Sequence, residues 1–330
     1  MYQIALAPSE LTYTAGSDTD LLSAAIKAGI DVPAACRNGV CELCEARLLS
    51  GLVLNTRNQQ KIPVGERLML CRSLALEDLE LEMSAVMAAG NTQPRKFQAK
   101  VVNVRPMNHD VYRVELQLPR RRELRFHAGQ YLSINLPDTE PCYFSIASSP
   151  TEPHLVLHIQ ASPDWVSAQK VVDALTRGDS VTLDAPFGKA CLAAAPNKPL
   201  ILVAAGTGFA QIKSMVDYLR GTSVSQPIAL FWGVRHHEDM YLRSLAQQWA
   251  QDWPGFSFIP IVGDDDDSDW SGHHEQLTRT VLATGMNWQS VDVFASGSPA
   301  MVYSLMDALM ETGLPEQAFF SDVLEYAPRV

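Results

Sequence analysis

The sequence predicts a multi-domain chain of three folded parts: a small mixed domain around a thiol loop, an antiparallel β-barrel, and a doubly wound α/β domain. Three observations lead there. Four of the six cysteines fall in the first 71 residues, three of them within nine positions. From about residue 96, short strand-like runs follow one another with turns between them, as in a barrel. After Pro199 strands alternate with helices, which implies parallel strands joined by crossovers. A length of 330 residues with 47% apolar content suits two or three packed domains.

In the first part, residues 3–14 alternate apolar and polar, as a strand pair does. Asp20 precedes Leu21–Gly29, a helix with an acidic N-cap and a glycine stop. Cys36-Arg-Asn-Gly-Val-Cys41-Glu-Leu-Cys44 follows, spaced Cys-x4-Cys-x2-Cys, and Cys71 comes 27 positions after Cys44. The plant-type [2Fe–2S] site has this spacing. A tight loop gives three thiolates to one point, Gly39 lets its backbone turn, and a returning strand gives the fourth. Loop amides then point at the sulfurs and stabilise their charge. Zinc also takes four cysteines, but usually as two short knuckles, and only Cys41 and Cys44 form one. The chain opens straight into strand-like alternation with no cleavable leader, so a reducing cytoplasm that keeps these thiols free is expected. Cys142 and Cys191 read as ordinary buried thiols. Further strands are expected at Glu45–Leu49 and Leu79–Met83, and a linker at 86–95.

Residues 1–85 resemble a plant-type ferredoxin domain of β-grasp fold, of the kind fused to flavin reductases. The resemblance implies Cys36, Cys41, Cys44 and Cys71 as cluster ligands.

In the second part, 96–196, strands are expected at Gln98–Arg105, Tyr112–Gln117, Tyr131–Asn135, Phe144–Ala147, Leu155–Gln160 and Ser180–Leu183, with a helix at about 165–177. In the third, 197–330, Leu200–Ala204 is a continuous apolar run, as in a strand buried on both faces. It leads into Gly206-Thr207-Gly208 and a helix from Ala210 to Arg220. Glycines there let backbone amides approach a pyrophosphate at a helix N-terminus. Strands Ile228–Trp232, Phe256–Val262 and Val291–Ser296 follow, with helices near Met240–Gln251 and Ser298–Thr312. Ala295-Ser296-Gly297-Ser298 is the matching element across the switch point.

Residues 96–330 resemble the ferredoxin–NADP reductase superfamily, a flavin-binding barrel joined to a nicotinamide-binding domain. The family's pyrophosphate loop maps to Gly206, Thr207 and Gly208, with Ala205 for its first glycine and Gln211 for its usual proline. Its Cys-Gly beside the nicotinamide becomes Ser296-Gly297. Its Arg-x-Tyr-Ser flavin motif becomes Cys142-Tyr143-Phe144-Ser145. Phe144 would stack on the isoalloxazine and Ser145 would bond near N5. Cys142 replaces an arginine whose charge-assisted bonds to flavin phosphate are worth about 1.5–3 kcal/mol. Gly129-Gln130-Tyr131 matches the start of the preceding strand. Arg235 falls where the adenosine ribose binds and would pair a 2′-phosphate, although NADH-using members carry arginine there too. Phe319-Phe320-Ser321-Asp322 resembles the end of flavin reductases and of CDP-6-deoxyglucoseen reductases. Asp322 would assist proton balance at the flavin, or simply cap a helix or strand.

The net charge is −11, yet residues 91–125 carry 9 basic and 3 acidic side chains. So acidic a whole is a poor nucleic-acid binder. The basic segment, with Arg120–Arg122, suits an acidic protein or a flavin phosphate. No run of 18 apolar residues suggests a membrane span. Asp264–Asp267, His236-His237 and His273-His274 read as solvated surface. The expected function is an NAD(P)H-dependent iron–sulfur flavoprotein reductase. It would carry FAD, with FMN as the alternative, take electrons from NADH or NADPH, and pass them through the cluster to an oxygenase or an iron–sulfur dehydratase. The residues at its reacting atoms would be Ser145, Ser296 and Asp322. The alternatives are a free-flavin reductase with an auxiliary cluster, and a non-enzymatic redox-sensing module.

Overall fold

The structure, a computed structural model, describes all residues except 35, 84, 85, 87–91, 120–123, 138, 163, 164, 223, 264–270 and 330, and only the backbone of 271–274. Arg120–Arg122, Asp264–Asp267, the side chains of His273 and His274, and residues 87–91 of the expected linker therefore lie outside the described residues. The chain divides into two compact units, Met1–Thr92 and Gln93–Val330.

The first unit contains strands β1 (Tyr2–Ala7), β2 (Leu11–Ala15), β3 (Glu45–Ser50), β4 (Val53–Asn55), β5 (Lys61–Ile62), β6 (Arg67–Met69), β7 (Ser73–Ala75) and β8 (Leu79–Glu82), and helix α1 (Leu21–Lys27). Five of the strands form a mixed sheet in the order β2-β1-β8-β3-β6, with β1 and β8 parallel. Asp20 starts α1 as expected, its carboxylate accepting from the Ser23 amide at 2.9 Å. The helix buries Leu21, Leu22, Ala24 and Ala25 against Ile4, Leu6, Leu48 and Leu81 of the sheet. Each large side chain buried there contributes about 1.5–3 kcal/mol.

The second unit begins with the barrel: β9 (Arg95–Pro106), β10 (Val111–Gln117), β11 (Tyr131–Asn135), β12 (Cys142–Ser145), β13 (Leu155–Gln160) and β14 (Ser180–Phe187), with α2 (Val166–Arg177). Its order is β12-β11-β14-β9-β10-β13, antiparallel throughout. The Ala147 amide donates to Val156 O at 2.7 Å beside an Ile146–Leu157 bridge, which joins the two ends of the sheet. The flavin-motif strand starts at Cys142, earlier than expected, because Cys142 to Ser145 all pair with β11.

The unit continues with β15 (Leu200–Ala205), α3 (Phe209–Arg220), β16 (Ile228–Val234), α4 (Arg243–Asp252), β17 (Phe256–Val262), α5 (Ser271–Leu282), β18 (Asp292–Ser296), α6 (Pro299–Glu311), β19 (Phe319–Phe320) and α7 (Val323–Tyr326). The parallel sheet runs β17-β16-β15-β18-β19. Its order reverses between β15 and β18, which creates the crevice where doubly wound sheets bind ligands. The helix expected from Met240 starts instead at Arg243, because His237–Asp239 closes a separate single turn. Helix α5 and strand β19 were not expected. Among the described residues no helix is long and apolar enough to cross a membrane.

Candidate functional site

In the first unit, the loop from Cys36 to Cys44 curls inward. Arg37, Gly39 and Glu42 have φ values of 50°, 81° and 59°. This left-handed curl turns successive amides to one side. The amides of Asn38, Val40 and Cys41 approach Cys36 Sγ at 3.5, 3.3 and 3.3 Å. These amides, Asn38 first, pull the Cys36 thiol down to about 6, and the Cys41 thiol also hydrogen-bonds to it. Cys71 sits in a single turn, Leu70–Arg72, pinned by the Leu70 amide to Cys44 O at 3.0 Å. Its sulfur lies 3.4 Å from Cys44 Sγ. Burial and the adjoining Cys44 push the Cys71 thiol up to about 11.

The four thiols thus stand as two pairs, Cys36 with Cys41 and Cys44 with Cys71. A two-iron cluster needs two thiolates on each iron. The donor set fits that group, with amides in place to offset the thiolate charge. Among the described residues no three His, Cys, Asp or Glu side chains are set around a single metal-ion position.

In the second unit, Gly206-Thr207-Gly208 forms one tight turn between β15 and α3, as the sequence suggested. The two glycines do different work. Gly206 has φ 54° and nothing within 4 Å of where a Cβ would be, so its backbone is open to a ligand. Gly208 has no such space, because a Cβ there would collide with the carbonyl of Ser296. Ser296, in register with Ala204, therefore lies against the turn, and Gly297 follows it. Ser298 caps α6, accepting from the Met301 amide at 3.3 Å. Arg235 directly follows β16, the strand beside β15.

The barrel is tied to this crevice through α3. Ser214 donates to Ser148 O at 2.7 Å and Lys213 to Ala147 O at 3.2 Å, just past the flavin-motif strand. Within that strand Phe144, opposite Leu132, packs half-buried against the barrel core together with Cys142. Burial pushes the Cys142 thiol up. Cys142 and Cys191 are both half-buried, less enclosed than expected. Tyr143 points the other way and is exposed. It meets Tyr131 and Phe187 edge-on at 5.9 and 5.8 Å, while Tyr131 and Phe187 stack at 5.5 Å. Ser145 is the register partner of Tyr131. Gln130 is buried and donates to Gly188 O at 2.9 Å, which fixes the edge of this aromatic face. Sequence reasoning singled out Gln130 and Tyr131 but missed Phe187 and Gly188, which no motif marks.

Asp322 immediately precedes α7, at the capping position, yet its side chain makes no capping bond. It is buried. Oδ2 accepts from Gln211 Nε2 at 2.8 Å, and Oδ1 has no hydrogen-bond partner. An orphaned buried oxygen on Asp322 and an open backbone at Gly206 each leave a place for a ligand atom, which fits a flavin and a dinucleotide. Gly206, Gly208, Ser296 and Gly297 are brought together by the fold. Ser145 and Phe144 belong to the barrel side.

Comparison with known proteins agrees with this layout. The 2Fe–2S iron–sulfur cluster binding domain family matches residues 4–76, the FAD-binding domain family 96–190, and the oxidoreductase NAD-binding domain family 202–306. Reductase component 2 of a Comamonas terephthalate 1,2-dioxygenase is 32% identical, covering 99% of this chain and 98% of its own. The CDP-6-deoxy-L-threo-D-glycero-4-hexulose-3-dehydrase reductase of Yersinia pestis is 27% identical over 97% of both chains. Among solved structures, a ferredoxin reductase of a carbazole 1,9a-dioxygenase is 25% identical, with TM-score 0.58 and 97% coverage of both chains. An Amycolatopsis cytochrome P450 reductase shares the fold, with TM-score 0.61 at 23% identity and 98% coverage of both chains.

Proposed function

This chain belongs to the iron–sulfur flavoprotein reductases of oxygenase and dehydrase systems, and from that membership we infer which acceptor and residues it uses. The reading is an NADH- or NADPH-dependent reductase that delivers single electrons to a partner oxygenase or iron–sulfur dehydratase in the cytoplasm. Free thiols at Cys36, Cys41, Cys44 and Cys71 suit that reducing compartment. When bound, FAD takes the hydride as an electron pair and the [2Fe–2S] cluster carries electrons one at a time.

The chain's own groups divide the work. Gly206, Thr207 and Gly208 offer backbone amides at the start of α3 to the pyrophosphate. Arg235 stands at the ribose end. Ser296 and Gly297 flank the nicotinamide. Phe144 and Ser145 bind the flavin on the barrel side, and Asp322 holds a proton near it. The four cysteines hold the cluster.

The observation that carries the reading is the thiol loop, where three amides converge on Cys36 Sγ and the Cys44 and Cys71 sulfurs stand 3.4 Å apart. It is tested by an anaerobic absorbance spectrum before and after one equivalent of NADH. Bleaching of flavin absorbance followed by loss of cluster absorbance is expected. A protein that is colourless, or whose spectrum NADH and NADPH both leave unchanged, overturns it.

One observation favours a second reading, a reductase of free flavin. Cys142, where the family carries arginine, packs against the barrel core and gives no charge to a flavin phosphate. Gel filtration separates the two readings: flavin retained through the column excludes the second.

A further inference from the structure

Gln211 lies on α3 and is buried, at the position where the resembled family carries proline. Its amide nitrogen reaches three oxygens: Gly129 O at 2.8 Å, Ala190 O at 3.2 Å and Asp322 Oδ2 at 2.8 Å. An amide has two hydrogens, so one of them is shared. Two acceptors belong to the barrel half and the third to the C-terminal segment. A proline would reach none of them.

Among the described residues no cation pairs with Asp322. The groups facing it are Glu325 and Tyr326 of α7, Tyr131 of β11, and Cys191. All are neutral or negative. Burial, then Glu325, pushes the Asp322 carboxyl well above the usual range, and the Ala190 amide and Gln211 draw it back only in part. A buried carboxylate held by neutral amides alone is costly, which favours the acid form. In that form Oδ2 accepts from Gln211, so the hydrogen sits on Oδ1, the oxygen with no partner.

Its place is defined by Gly188, whose φ is +96°. A Cβ there would stand 2.7 Å from Asp322 Oδ1 and 2.9 Å from Tyr131 Cδ1. Carboxyl and aromatic ring therefore flank the same point, one strand pairing away from Ser145. A buried donor with no acceptor beside a flat aromatic face calls for a ligand atom.

We propose that Gln211 is a positioning residue that holds Asp322 as a hydrogen-bond donor, its Oδ1–H directed over Gly188 toward an acceptor atom of the flavin ring system. This rests on the flavoprotein reading above. The role is binding and orientation, and no electron is moved by either residue.

The test is FAD binding to flavin-depleted full-length protein, with free FAD measured by fluorescence after ultrafiltration between pH 6 and 9. Asp322→Asn keeps a donor and is expected to stay within about threefold of the parent. Asp322→Ala is expected to bind about tenfold more weakly, or about 1.4 kcal/mol. Gln211→Leu should lose about five- to tenfold, and adding it to Asp322→Ala should cost nothing more, since the two act through one bond. The parent should weaken as the pH rises and the acid form is lost, whereas Asp322→Asn should stay flat. Asparagine as weak as alanine, or alanine as tight as the parent, overturns the proposal. Should Asp322→Ala fail to fold, Gln211→Leu decides alone: affinity equal to the parent's overturns it. A parent that binds no FAD at any pH sinks the flavoprotein reading itself, and does so before any variant is made.

Discussion

The indole N–H of Trp232 donates to the carbonyl of Gly206 at 3.0 Å, reaching from β16 to the turn that ends β15. Trp232 is fully buried, and its ring stacks on Phe209 at 3.7 Å with 8° between planes. The turn is therefore held from beneath by a fully buried side chain. Trp232→Phe keeps the stack and loses the donor. It is expected to cost about 1 kcal/mol of stability, the net value of a typical hydrogen bond. It should also weaken NADH binding more than it lowers the unfolding temperature. Paired calorimetry and nucleotide titration check this. Unchanged NADH affinity would mean the turn needs no such support.

The two glycines of that turn should separate under substitution. Gly208→Ala forces a methyl onto the Ser296 carbonyl and is expected to cost about 1–3 kcal/mol. That corresponds to roughly 2–4 °C of melting temperature for each kcal/mol in a domain of this size. Gly206→Ala meets open space, so its packing cost is nil and only its left-handed backbone resists, at about 1 kcal/mol. Its main effect should fall on pyrophosphate binding, read as a raised KM for NADH. Equal loss of stability in both variants would contradict the division of labour.

The cysteines make a simpler prediction. Serine at Cys36, Cys41, Cys44 or Cys71 should remove most of the bound iron and the visible absorbance that goes with it. Serine at Cys142 or Cys191 should leave the iron content at the parent level. Iron and sulfide assays on anaerobically purified variants decide it. A Cys142 variant that lost iron would mean the ligand set is wrong.

These features were legible in the sequence to very different degrees, and chain separation explains the difference. Three of the thiols lie within nine residues, so their spacing alone announces the loop. Leu200–Ala204 is apolar at every position because β15 is buried on both faces in mid-sheet, between β16 and β18. Helix α5 was missed because it buries little: Leu277 and Val281 face the core, while Glu275 and Arg279 form an exposed ion pair. Strand β19 is two residues long and gains its register only from Val293 and Phe294. The bond from Gln211 to Asp322 spans 111 residues, and a glutamine replacing proline carries no local mark of such a partner. The outward turn of Tyr143 followed from the pairing with β11, which the motif alone did not reveal.

The pH dependence of the second unit should be set in part by His158. This residue of β13 is buried, and its Nδ1 lies 3.1 Å from the hydroxyl of Tyr241, which stands edge-on to Trp232 at 5.4 Å. A line of contacts thus runs from the Gly206 turn through Trp232 and Tyr241 into the barrel. Burial, followed by the charges of Lys213 and Arg113, pushes His158 down to about 3. In the unfolded chain a histidine titrates near 6.5. Between those values the unfolded state binds the proton and the folded state refuses it. The stability from His158 is therefore whole above about pH 6.5 and is lost as the pH falls toward 3, by about 1.4 kcal/mol per pH unit at most. His158→Phe, which cannot titrate, should flatten that limb of the stability curve, although losing the Tyr241 bond lowers stability at neutral pH by about 1 kcal/mol. Urea unfolding from pH 4.5 to 7.5 makes the comparison. If parent and variant lost stability in parallel across that range, the acid sensitivity would have to come from another group.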